Sequence, residues 1–428
     1  TSANTASAIV KRDGSGNFAA GTITASLTGN VTGNVTGNVT GNLTGNATGV
    51  VRDKGGQLFD VKGYGATGDG VTDDTVAIGL ALAAASTGGV IYFPPGNYKF
   101  STLTISTNGT TLRGAGAGST TLSTTTNGGT GITLSGDRTG LEGATVDVIG
   151  AAVTPQVSVL ASGANVTLSG LRFTDFFRGI SITGTYGVAE GLVFNSAVAG
   201  ADYALSVTGS GTTVENVVIG ETAAQTVVNG IYVDADNVLL REAYALPDGN
   251  GNGLYVTSSA NLVVRDSRFY GAGTGAAIYL GASVSGLLSS VFAAGGTNAI
   301  LTTGASAFPL YIETSRIGEG GVSGDTILHG GTHDLYLADC YVTPGGTGAA
   351  ALHVAGAGSG LHWDGGAILA PDPFALADYA VEVDGGAAVP VLYNVVIVNA
   401  SVFGAAPFSG GVLVGTAVAS GASITLVS

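Results

Sequence analysis

Sulfur is nearly absent from this chain of 428 residues, which has one cysteine, Cys340, and no methionine. A single thiol excludes an intrachain disulfide framework, and its neighbours Leu337 and Tyr341 point to a buried position. Charge is also scarce, at 10% of residues against roughly 25% in an ordinary soluble domain. Low charge with 45% hydrophobic residues excludes a chain that is disordered throughout. Only 10 prolines occur and glycine follows no strict three-residue period, which excludes collagen. Lys and Arg number 14 against 29 acidic residues, a net charge of −15, so nucleic acid is not an expected partner. No Lys or Arg follows Arg316, whereas Glu319, Asp325, Asp334, Asp339, Asp364, Asp372, Asp378, Glu382 and Asp384 do. Such a region repels an anionic ligand unless a cation intervenes. No apolar run reaches the roughly 18 residues that span a bilayer, so no membrane insertion is expected. The first residue is Thr1 rather than Met, so a preceding segment is expected, with room for a targeting signal.

What the chain does have is glycine, 73 residues of it, and repetition. From Thr28 a four-residue unit, Thr-Gly-Asn-X, opens at Thr28, Thr32, Thr36, Thr40, Thr44 and Thr48, with Val31, Val35, Val39, Leu43 and Ala47 in the X slot. One apolar residue in four builds no core within one chain, but it does if several chains wrap a common axis. Residues 1–50 are therefore read as an oligomerising shaft. A flexible Gly/Asn/Thr linker is the alternative, and the regularly filled apolar slot favours the shaft. The Asn-X-Thr triplets at Asn30, Asn34, Asn38, Asn42 and Asn46 follow from the repeat and need no glycosylation to explain them.

A different pattern begins at Leu58. Phe59, Val61 and Tyr64 alternate like a strand, Thr72 or Asp73 is placed to cap a helix, and Val76 to Ala85 reads as that helix, ended by Gly88-Gly89. Val90-Ile91-Tyr92-Phe93 is a strand and Pro94-Pro95-Gly96 a turn. The stretch Tyr64-Gly65-Ala66, Gly68-Asp69-Gly70-Val71-Thr72-Asp73-Asp74-Thr75, Ala77-Ile78 and Gly88-Gly89-Val90-Ile91-Tyr92-Phe93-Pro94-Pro95-Gly96-Asn97-Tyr98 resembles the opening motif of pectate-lyase-like right-handed parallel β-helix proteins, which include phage tailspikes and polysaccharide-degrading enzymes. The resemblance implies a helix covering the open end of a β-helix, with Asp69, Asp73 and Asp74 in turn and cap roles. The segment Ala8-Ile9-Val10-Lys11-Arg12-Asp13, Asn17-Phe18 and Gly21-Thr22-Ile23 is similar to shaft modules of bacteriophage tail fibres. That likeness implies a virion protein rather than a secreted enzyme.

The rest of the chain is periodic. One phrase recurs at Asn165-Val166-Thr167-Leu168, Thr213-Val214-Glu215-Asn216, Asn237-Val238-Leu239-Leu240 and Asn261-Leu262-Val263-Val264, then at Val284 to Phe292, Leu310 to Ile317, Leu335 to Val342 and Leu361 to Ile368. A second recurs around Ile180, Leu205, Ile231, Leu254, Ile278, Leu352 and Val381. Ile231 to Leu254 is 23 residues and Leu254 to Ile278 is 24. Two short strands per unit with glycine-rich bends make the coil of a β-solenoid. A leucine-rich repeat has a similar period, but its fixed Leu/Asn ladder is not seen.

Stacked coils let side chains be placed. In phrases such as Ile231-Tyr232-Val233 the flanking residues point inward and the middle one outward. Tyr232, Tyr255 and Tyr279 then form an outward column, with His353 and Glu382 further along it. Such a column serves either a sugar ligand or a subunit interface. Arg241-Glu242 and Arg265-Asp266 lie 24 residues apart and are expected to stack. Two carboxylates a coil apart reach the separations that glycosidases use, and their proximity splits their acidities. Glu242 and Asp266 are thus the candidate catalytic pair, with Arg268 as a substrate-binding cation; a surface ladder of alternating charge is the competing reading. Asp248-Gly249-Asn250-Gly251-Asn252 has the oxygen-rich look of a Ca²⁺ loop but lacks its bidentate Glu, and is read as a bend. His329 and His353 are read as packed imidazoles. No metal and no cofactor are assigned.

The expected fold is an all-β, single-stranded, right-handed parallel β-helix with one capping α-helix. Residues 1–50 form the shaft, 51–100 the opening and capping segment, and 101–428 the body. The expected role is that of a phage tail fibre or tailspike, trimeric and extracellular on the virion. It would be joined to tail or baseplate proteins through its N-terminal region and would contact a host surface glycan. A glycan-cleaving tailspike, or a secreted polysaccharide lyase or hydrolase, is the alternative.

Overall fold

The computed structural model describes residues 13–15, 58–126, 128–149, 156–195, 201–220, 227–247, 249–306, 309–318, 322–345, 349–355, 360–369, 379–383, 391–398, 401–402, 412–414, 417–418 and 423–424. Contacts divide the chain into two units, Thr1–Thr48 and Gly49–Ser428. The Thr-Gly-Asn-X repeat and Asp248 lie outside the described residues.

The body opens with the strand Leu58–Asp60, which pairs in parallel with Gly89–Phe93 through Leu58↔Val90 and Asp60↔Tyr92. Between them the helix Thr75–Ala84 packs against the Val61–Tyr64 turn, with Ile78 and Ala81 fully buried. Its N-cap is Asp74, one residue later than the sequence suggests. The Asp74 carboxylate does not cap the helix. It accepts from the Thr67 and Gly68 N–H groups at 2.7 and 3.1 Å, while Asp73 Oδ1 accepts from Thr75 N–H at 2.9 Å. Asp69 accepts from Val71 N–H and Thr72 N–H at 2.8 and 2.7 Å. All three aspartates therefore hold turns, as expected.

Beyond the helix, every strand-to-strand pairing is parallel and joins one coil to the next. Each coil has three faces rather than the two strands read from the sequence. The first face stacks the leading halves of Val188–Phe194, Thr213–Ile219 and Leu239–Ala245. The second stacks their trailing halves. The third stacks Arg178–Ile182, Ala201–Val207, Val227–Asp234, the start of Asn252–Arg265, and Ala276–Leu280.

A bend inside the first phrase separates the first two faces. It falls on residues with left-handed backbone, one per coil: Gly191, Asn216, Glu242, Asp266, Ser290, Thr314, Asp339, Gly365 and Asn394, with φ between 47° and 74°. Gly, Asn and Asp take this conformation at least cost, which explains their frequency at the corner. At the opposite corner the backbones themselves touch. A Cβ on Gly184 would sit 1.9 Å from the Gly163 carbonyl oxygen, and one on Gly209 1.8 Å from that of Gly184. This close approach uses part of the chain's abundant glycine.

The core runs up the inside as continuous columns. On the second face Val146, Phe173, Phe194, Ile219, Ala245, Phe269, Ala293, Ile317 and Val342 are successive register partners, all buried. Phe173 and Phe194 stack with ring centroids 4.7 Å apart. Burying each Val, Ile or Phe of this column contributes roughly 1.5–3 kcal/mol, and each coil supplies the lid for the one before it.

Candidate functional site

The corner explains where the proposed carboxylates sit. Arg241 and Arg265 are register partners, so the residues after them, Glu242 and Asp266, occupy successive corner positions with φ 53° and 50°. The expected stacking is present. Glu242 has a side chain 58% exposed, beside Arg241 Nε at 3.8 Å, and Arg241 also meets Glu215 at 3.3 Å. Asp266 and Arg268 line a groove of about 540 Å³ together with Ser290, Phe292, Thr314 and Arg316. Glu242 is not among its lining residues. The structure thus brings Asp266 and Arg268 together, leaves Glu242 outside, and adds Arg316.

The groove runs along one outward column of the second face. Tyr244, Arg268, Phe292, Arg316 and Tyr341 are successive register partners, so aromatic and guanidinium groups alternate. Alternation follows from the pleat, because Phe269, Ala293 and Ile317 next along each strand point inward and are buried. Arg268 and Arg316 are both exposed, and two coil rises place their backbones about 10 Å apart. Arg268 makes no salt bridge among the described residues. Tyr270 leans between Tyr244 and Phe292, 5.6 Å from each ring at tilts of 55° and 50°. Tyr244, Tyr270 and Phe292 are each half-buried. Burial raises the Tyr244 phenol above its usual value, Tyr270 adds to this, and Arg268 opposes it, so the hydroxyl stays protonated at neutral pH.

The tyrosine column on the third face is built as the sequence implies. Tyr232, Tyr255 and Tyr279 are register partners and half-buried, and Leu301, Leu328, His353 and Glu382 continue the column. Their rings stack nearly parallel, 5.9 Å apart for Tyr232 and Tyr255 and 4.5 Å for Tyr255 and Tyr279. Tyr255 therefore has a ring on each face. The column presents ring edges and hydroxyls, and two hydroxyls lie beside Thr257 Oγ1 and Thr303 Oγ1 at 3.3 and 2.9 Å. Off the column, the Tyr203 ring lies 6.4 Å from that of Tyr232 and is covered by Arg178, which pairs with Asp202 at 2.7 Å.

Two further features escaped the sequence reading. Tyr311, Tyr336 and His362 form an outward stack on the first face, with centroids 4.9 and 4.6 Å apart. His329 does not pack on His353. Its register partner is Val354, so it points into the core, where it lies edge-on to His333 at 4.9 Å. His353 instead faces outward, and Leu328 is its partner. The single-residue shift in strand phase between the two histidines is the cause.

A family model described as rhamnogalacturonase A/epimerase, pectate lyase-like, matches residues 58–285. The chain belongs to this family. Mannuronan C5-epimerase AlgE6 of Azotobacter vinelandii is 46% identical over 72 residues, 14% of this chain and 8% of that protein. The chain thus spans less than a tenth of that relative's length. The solved A-module of A. vinelandii mannuronan C-5 epimerase AlgE4 superposes with a TM-score of 0.52 at 16% identity, over 86% of this chain and 99% of the other. The Dettilon tailspike protein (gp208) gives 0.52 at 14% identity, over 85% of this chain and 68% of the other. At such identities these likenesses concern the fold, a parallel β-helix. Among the described residues no helix is long and apolar enough to cross a membrane.

Proposed function

We propose that this chain is a virion protein of the tail-fibre or tailspike type whose β-helix body binds an acidic polysaccharide of the host surface along the second face. The observation that carries the reading is the run Tyr244–Arg268–Phe292–Arg316–Tyr341 beside its groove. Aromatic faces suit the apolar faces of sugar rings, and guanidinium groups grip carboxylates through paired hydrogen bonds. The two exposed arginines on this column, Arg268 and Arg316, favour an anionic polymer, although Asp266 lines the same groove. The fold shared with a tailspike and the Thr-Gly-Asn-X repeat support an extracellular appendage, assembled as a trimer and joined to tail or baseplate proteins through its N-terminal region.

A catalytic reading has one observation in its favour: Asp266 lines the same groove as Arg268. In that reading the protein is a depolymerase, Asp266 acts with Glu242 on a glycosidic bond, and Arg268 holds the substrate.

Incubation of the purified protein with host capsule or lipopolysaccharide tests both. Retention on the polymer without released oligosaccharide supports the binding role. Release that disappears in Asp266→Asn supports catalysis. Neither retention nor release would remove the assignment of this face.

A further inference from the structure

Three side chains from three successive coils converge on the outer surface of the third face. Asp325 precedes the strand Ile327–His329, His353 lies on Ala350–Val354, and Glu382 lies on Tyr379–Val383 as the register partner of His353. His353 Nδ1 is 2.8 Å from Asp325 Oδ2 and 4.0 Å from Glu382 Oε2. One donor atom from each residue lies within 4.8 Å of the others. The side chains are only 18–25% exposed.

We propose that Asp325, His353 and Glu382 bind a divalent transition cation, with zinc as the reference ion. Tetrahedral bonds of 2.0–2.2 Å from zinc to nitrogen and oxygen put ligand atoms roughly 3.4 Å apart, a spacing that the existing separations bracket. One imidazole with two carboxylates is a donor set for zinc or its neighbours in the first transition row, whereas Ca²⁺ and Mg²⁺ favour oxygen alone. Asp325 is held in place for the role. Its Oδ1 accepts from Ala350 N–H at 2.7 Å, which leaves Oδ2 turned toward the imidazole. Local charge argues the same way. Two carboxylates flank one imidazole in a stretch with no Lys or Arg after Arg316, so a bound cation supplies the charge this sequence withholds. Joining residues 325, 353 and 382, the ion acts as a clasp across three coils and stabilises the folded chain by mass action.

The site does not depend on the polysaccharide reading, and its test is independent of glycan. The full-length protein, freed of metal by chelation, is titrated with Zn²⁺ by calorimetry, and its melting temperature is followed in parallel. One ion per chain is expected, with a rise in melting temperature. Glu382→Gln leaves the Asp325–His353 contact intact and so keeps the fold, yet it should abolish this binding, as should His353→Gln. His362→Gln should bind as the wild type does. Absence of stoichiometric binding in folded wild type, or binding unaltered in both Glu382→Gln and His353→Gln, would overturn the proposal.

Discussion

Phe292 sits between Arg268 and Arg316 on one outward column, paired in register with both. A pleated strand sends alternate residues outward, and parallel stacking without register slip carries that choice from coil to coil. A short-range rule thereby becomes a long surface feature. Residues distant in sequence share one groove because whole coils separate them.

The corner between the first and second faces predicts a stability effect opposite to the usual one. Glu242 and Thr314 hold left-handed backbone at φ 53° and 47°, where side chains other than those of Asn and Asp are strained by about 1–2 kcal/mol. Glu242→Asn and Thr314→Gly should each stabilise the protein by about 1 kcal/mol in chemical denaturation. Destabilisation in both would show that the corner does not select for conformation.

The stacked core predicts large losses on truncation. Phe269 is fully buried between Ala245 and Ala293, whose small side chains cannot fill a void. Phe269→Ala should cost about 3–5 kcal/mol, read from the denaturant midpoint. A loss below about 1 kcal/mol would contradict the packing described.

Acid should weaken the fold partly through His329. Burial lowers its pKa to about 4, its Nδ1 lies 2.6 Å from Thr302 Oγ1, and its Nε2 lies 2.9 Å from the His333 carbonyl oxygen. The folded state favours the neutral ring. Its contribution is complete above the unfolded value near 6.5 and is lost as pH falls toward about 4, by about 3 kcal/mol at most. His333 is shifted the same way by burial. His329→Gln should therefore flatten, without abolishing, the decline of melting temperature between these pH values; an unchanged decline would exclude His329 as a contributor.

Cys340 is fully buried and its thiol is raised to about 11 by burial. It should resist thiol-specific reagents at pH 8 in the native protein and react fully after unfolding. Rapid native labelling would place it at the surface.

Much of the coil was legible in the sequence because each third-face phrase has one outward residue between two buried ones, as in Ile231-Tyr232-Val233. The third strand per coil was hidden. Corner residues such as Asn216 and Asp266 fall inside what reads as one continuous strand, and only backbone dihedrals reveal the bend. The column Tyr232, Tyr255 and Tyr279 was also legible, but not that its rings would cover one another. Arg316 went unremarked as a site residue because it shares a groove with Arg268 only when two coils are counted. Asp325 went unnoticed as a partner of His353 because it lies in a turn, where the strand period gives no placement.

Binding to polysaccharide tests the main reading most directly. Mannuronan as an acidic probe and dextran as a neutral one are run against wild type and the Arg268→Ala/Arg316→Ala double variant by affinity electrophoresis. The expected result is retardation by mannuronan alone, reduced by salt and weakened roughly tenfold or more in the double variant, since each lost charged hydrogen bond costs about 1.5–3 kcal/mol. Equal retardation of wild type and variant, or none by either polymer or by host capsule, would contradict it.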